Sequence, residues 1–109
     1  MNEKKIISLE KTVSEFINLK LEGIRFSENF MGCAVDIYNT EYGEECHLTF
    51  LMKKPFSGEE SDMMHQVAKK IKNEITEYFS SIFRRGISIS TSTYNAYKSH
   101  KEWYDSKKF

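Results

Sequence analysis

The sequence is short of most features that announce an activity. It has two cysteines, Cys33 and Cys46, too few for a disulfide framework. No C-x-x-C or H-x-x-x-H spacing joins them to His47, His65 or His100, so no zinc site is expected. No apolar run approaches the roughly 18 residues of a membrane span, and Met1-Asn2-Glu3-Lys4-Lys5 leads straight into a charged helical pattern rather than a signal peptide. There is no nucleophile elbow, phosphate-cradling glycine loop or paired metal carboxylate. Repeats, linkers and low-complexity tracts are missing too. These absences predict one cytoplasmic domain over residues 1–109, without cofactor, metal or catalytic constellation.

What is present is ordinary in amount and uneven in arrangement. Hydrophobic residues make up 39% and charged residues 29%, a globular balance. The net charge is zero, yet residues 1–65 hold 7 Lys or Arg against 12 Asp or Glu, and residues 66–109 hold 9 against 4. Such segregation suits a charged partner or self-association.

The clearest element is a long amphipathic helix over residues 57–85. Met64, Val67, Ala68, Ile71, Ile75, Tyr78, Phe79 and Ile82 recur at steps of three and four, marking one buried face. Ser57 and Glu60 have capping-box spacing. Glu59, Glu60 and Asp62 suit the positive end of the helix dipole, Arg84 and Arg85 its negative end. Pro55, the one proline, and Gly86 punctuate the two ends.

Residues 3–17 form a first helix by the same periodicity. Leu19 and Leu21, then Ile24 and Phe26, alternate on either side of Gly23, the pattern of a bulged strand; the alternative is a helix running to Glu22 and a short strand afterwards. Residues 33–39 and 45–52 make a hairpin with Tyr42-Gly43 at its turn. That register sets Ile37 opposite Leu48, Val35 opposite Phe50 and Cys33 opposite Met52. It keeps Cys33 and Cys46 roughly 20 Å apart, at about 3.3 Å per residue, beyond any disulfide. Residues 87–93 alternate as a fourth strand, and Ser92 or Thr93 caps a last helix over residues 94–107. The expected fold is α+β in the order α-β-β-β-α-β-α, a two-layer sandwich with its helices on one face of an antiparallel sheet.

Helix–three strands–helix over the first 85 residues resembles the order in double-stranded-RNA-binding domains, and also that in secretion chaperones, which bind extended client segments. The RNA-binding family carries a basic cluster at the start of its second helix. Here that position reads Ser57-Gly58-Glu59-Glu60-Ser61-Asp62, which is acidic and repels phosphate.

Two groups of residues carry the functional expectation. Asp36, Tyr38 and His47 share the outward sheet face, where cross-strand neighbours lie roughly 5 Å apart and a histidine, a tyrosine and a carboxylate together are the residue types of acid–base work. The C-terminal segment interleaves Arg84, Arg85, Lys98 and Lys101 with Tyr97, Trp103 and Tyr104. Trp, Tyr and Arg are the residues of protein hot spots, and cations beside flat rings also suit phosphate contact with base stacking. With no catalytic signature alongside, the sequence reads as a protein-binding module of inhibitor, immunity, adaptor or chaperone type. A nucleic-acid-binding module using the same segment is the alternative.

Overall fold

The computed structural model describes residues 3–24, 26–79, 81–83 and 86–107, with Thr40 and residues 104–107 described in backbone alone. The chain order is α1 (Glu3–Leu21), β1 (Phe30–Thr40), β2 (Gly43–Met52), α2 (Gly58–Phe79), β3 (Ile87–Thr93) and α3 (Tyr94–Lys107). It is an α+β fold whose described residues hold one sheet, ordered β1-β2-β3.

α1 runs four residues past the expected end. Val13, Ile17 and Leu21 are buried at helical spacing, and Leu19 is 70% exposed. The helix period therefore outcompetes the strand alternation at Leu19 and Leu21, and the described residues of 19–26 hold no strand. Gly23, at φ +83°, ends the helix rather than bulging a strand. The bulge lies instead at Met31, between Phe30, paired with Met52, and Gly32, paired with Leu51. With that strand gone, the likeness to a helix–three strands–helix order goes too.

The β1–β2 hairpin is antiparallel, and its register differs from the expected one by two residues. Ile37 faces Cys46, Val35 faces Leu48 and Cys33 faces Phe50. The turn centres on Glu41 and Tyr42, and the chain re-enters β2 through Gly43 at φ +123°, a conformation that disfavours any side chain. An even shift preserves which residues share a face. Cys33 and Cys46 lie four register positions apart, about 13 Å; both are free thiols.

α2 begins as expected. Ser57 N–H donates to Glu60 Oε1 at 3.0 Å, and Glu60 N–H donates to Ser57 Oγ at 3.2 Å. Met64, Ala68, Ile71 and Ile75 are buried, but Tyr78 is 63% exposed. The helix stops at Phe79, where Ile82 and Phe83 N–H both bond the Phe79 carbonyl. Ile82 and Phe83 continue the apolar pattern through a turn, which is why periodicity overran the helix end.

β3 pairs parallel to β2, with Leu48 beside Ile89, so the sheet is mixed rather than antiparallel. A long helix between two strands is the connection that parallel pairing requires. The odd residues of β1 and the even residues of β2 face α1 and α2, forming one core around Phe50, Leu48, Ile17, Met64 and Ile71. α3 covers the opposite sheet face. The helices thus lie on both sides, in three layers, not on one side in two.

Candidate functional site

The sheet face opposite α1 and α2 presents Asp36 and Tyr38 from β1, His47 and Thr49 from β2, and Ser90 and Ser92 from β3. Thr93 ends β3 and starts α3 in one step; its Oγ1 accepts the Ala96 N–H at 3.3 Å as an N-cap. The helix lies over this face and encloses a half-open cleft of about 450 Å³. Tyr97, His100 and Lys101 form its roof, and Glu10 of α1 closes one side.

Asp36 is the hub. The residue is 6% exposed; its Oδ2 accepts the Tyr97 hydroxyl at 2.9 Å and its Oδ1 takes the Lys101 ammonium. Burial, then the bond to Asp36 and its charge, pushes the Tyr97 phenol up to about 12. Burial works against the Lys101 ammonium, but the Asp36 bond and charge outweigh it and hold its pKa above the ordinary value. Among the described side chains of α3 none is a buried hydrophobic, and these polar links join the helix to the sheet.

His47 sits directly across from Asp36 on the neighbouring strand. Its Nδ1 lies 2.6 Å from Ser88 Oγ and its Nε2 3.0 Å from Ser90 Oγ. Hydroxyls donate and accept, so either tautomer is satisfied at both nitrogens. Parity thus brings Asp36, Tyr38 and His47 together as the sequence indicates, but Asp36 and His47 bond to separate partners and not to each other.

The C-terminal binding set divides. Tyr97 and Lys101 turn inward to Asp36. Lys98 and Trp103 remain exposed, Trp103 at 57%, its ring stacked on His100 with centroids 6.1 Å apart and 26° between planes. Arg84 and Arg85 lie outside the described residues, as does the side chain of Tyr104. Sequence reasoning overlooked Glu10, whose Oε1 accepts the Ile37 N–H at 2.9 Å; nothing local to α1 signals a contact with a strand so distant in the chain. It also overlooked Ser88 and Ser90 as partners of His47, although the serine alternation of residues 87–93 was the available signal.

Among the described residues, no three His, Cys, Asp or Glu converge on a common point, and no helix is long and apolar enough to cross a membrane. Both thiols are held protonated, Cys33 and Cys46 each pushed up to about 12 by burial first. No family model, curated protein or solved structure matches the chain.

Proposed function

We propose that the protein is a small non-catalytic docking module, of inhibitor, immunity, adaptor or chaperone type, that binds a partner protein through the outer side of α3. The observation that carries this reading is Trp103, 57% exposed on a helix fastened from its other side by Asp36. A large aromatic on a pre-positioned helix loses little freedom when a partner covers it. Lys98, exposed on the same helix, is a steering charge. Tyr97 and Lys101 act as positioning residues that set the helix on the sheet.

The alternative, a nucleic-acid-binding module, draws on the same segment. Of its cations, Lys101 is already paired with Asp36 and has less charge to offer a phosphate, which favours the protein partner.

Capture from the native host's lysate, with and without nuclease, tests the reading on wild type, Trp103→Ala and Lys98→Glu. The expected result is one partner retained after nuclease, lost with Trp103→Ala and weakened with Lys98→Glu, while both variants melt as wild type does. The same partner held by wild type and Trp103→Ala would overturn the docking surface. Loss of all captured material after nuclease, with affinity falling steeply and linearly on a log–log salt plot, would put the nucleic-acid reading first.

A further inference from the structure

The two edges of the sheet are treated differently. The outer edge of β1 is covered: α1 packs along it and Glu10 accepts the outward Ile37 N–H at 2.9 Å. Among the described residues the outer edge of β3 has no such cover. Cys46, paired with Ile87, donates its N–H to the Gly86 carbonyl at 3.1 Å. In a parallel pair, alternate residues turn both backbone groups toward the neighbour. From that starting point Ser88, Ser90 and Ser92 face β2, whereas Ile87, Ile89 and Thr91 direct N–H and C=O away from the sheet. Among the described residues none of these three has a backbone partner on that side.

Open edges are usually blunted by charge, proline or a bulge. β3, Ile-Ser-Ile-Ser-Thr-Ser-Thr, has none of the three, and Ser90 and Thr91 are exposed upon it.

We infer that this edge is the seam of a homodimer, in which β3 pairs antiparallel with β3 of a second copy about a two-fold axis at Ile89. That axis sets Ile89 opposite its symmetry mate and Ile87 opposite Thr91. Every residue with outward backbone groups then meets another of the same kind, and each such pair exchanges two hydrogen bonds. A slip by one residue would set outward groups against residues already committed to β2. The half-buried Ile89 gains an apolar neighbour on the α2 side. A two-fold brings like against like, so a charged strand would repel its mate; β3 carries no charge. A second copy also closes the assembly: the same patch serves both chains and α1 covers the remaining edge, so growth stops at two. This surface is distinct from the outer side of α3.

Thr91→Pro is the discriminating variant. The Thr91 N–H points away from β2, so proline removes a seam donor and adds a ring at the contact while leaving the β2–β3 bonds intact. By sedimentation or light scattering across a concentration series, wild type is expected to reach the mass of two chains, and Thr91→Pro to dimerise at least about tenfold more weakly, with an unchanged far-ultraviolet spectrum. Trp103→Ala should leave the dimer untouched, which separates this seam from the docking surface. Should Thr91→Pro fail to fold, Ile89→Cys decides: two-fold pairing holds the new thiols at disulfide distance, so mild oxidation should cross-link the chains through residue 89. A wild type that stays monomeric at every concentration, a dimer indifferent to Thr91→Pro, or Ile89→Cys chains that do not cross-link would each overturn the inference.

Discussion

A carboxylate withdrawn from water must find its compensation in the protein, and among the described residues Asp36 finds it in α3. The Tyr97 hydroxyl and the Lys101 ammonium converge on it across 61 and 65 residues of chain. Removing the carboxylate strands both. Asp36→Ala is therefore expected to cost about 1–3 kcal/mol, toward the lower end because Lys101 is partly in water and can recover solvation there. Urea denaturation measures the loss, and hydrogen exchange locates it: the α3 amides should lose protection while those of β2 keep theirs. Uniform loss across the sheet would show Asp36 to be core rather than fastener. Half of this arrangement was legible in the sequence. Alternation put Asp36 and His47 on the face away from the apolar residues, and helical spacing put Tyr97 and Lys101 on one side of α3. Spacing does not say which side of a helix turns inward, so the two groups read as separate candidates when they are the floor and roof of one cleft.

Among the elements, α2 shows what local chemistry specifies and what it leaves open. Its start is a reciprocal pair three residues apart. Ser57→Ala removes one half of that pair and is expected to cost about 1 kcal/mol. Glu60→Ala should cost more, because Glu60 Oε2 also takes the Ser27 hydroxyl and lies 3.3 Å from Asn29 Nδ2, tying the segment between α1 and β1 to the helix. The Ser27 bond first, then the Ser57 backbone, lower the Glu60 pKa. Its contribution is thus present above the ordinary carboxylate pKa and fades as pH falls through the lowered one; the acid limb of thermal stability should be shallower in Glu60→Gln. Equal melting temperatures for Ser57→Ala and Glu60→Ala would sink the claim that Glu60 reaches beyond its own helix. The other element boundaries depend on distant partners. Period-two alternation fixed the hairpin's parity but could not separate registers differing by two, and the turn at Glu41-Tyr42 chose between them. Leu21 satisfies strand and helix patterns alike until Val13 and Ile17 extend the helical one, which leaves Leu19 in solvent. The direction of β3 was implicit in the strand–helix–strand order, but an antiparallel sheet built from the hairpin alone obscured it.

For the whole molecule, the layers on both sides of the sheet share a sensitivity to base. Cys46, fully buried, and Cys33 lie on the α1 and α2 side, their thiols raised from 9.0 to about 12, chiefly by burial. Tyr97 lies on the α3 side, raised from 10.0 to about 12. All three are neutral in the fold and would be charged in the unfolded chain once pH passes their ordinary values. Folded pKa values above unfolded ones mean stability fully present below pH 9 and lost as pH rises toward 12. The slope is at most about 1.4 kcal/mol per pH unit for each thiol that keeps its proton only when folded, and less for Tyr97, which is partly in water. Stability should therefore be flat from neutral pH to about 9, then fall, and steepen near 10 as Tyr97 joins the thiols. Replacing both cysteines by alanine lowers the plateau, because Cys46 fills core volume, but should delay the fall by about one pH unit. Tyr97→Phe should leave the onset in place and remove the steepening near 10, leaving the loss that Lys101, also held above its ordinary 10.5, adds at higher pH. Chemical denaturation from pH 7 to 11 on the three proteins separates these contributions by shape rather than height. An alkaline limb of the same onset and slope in the double cysteine variant would mean that the thiols meet solvent before the fold opens, and that α1 and α2 do not seal the sheet's inner face.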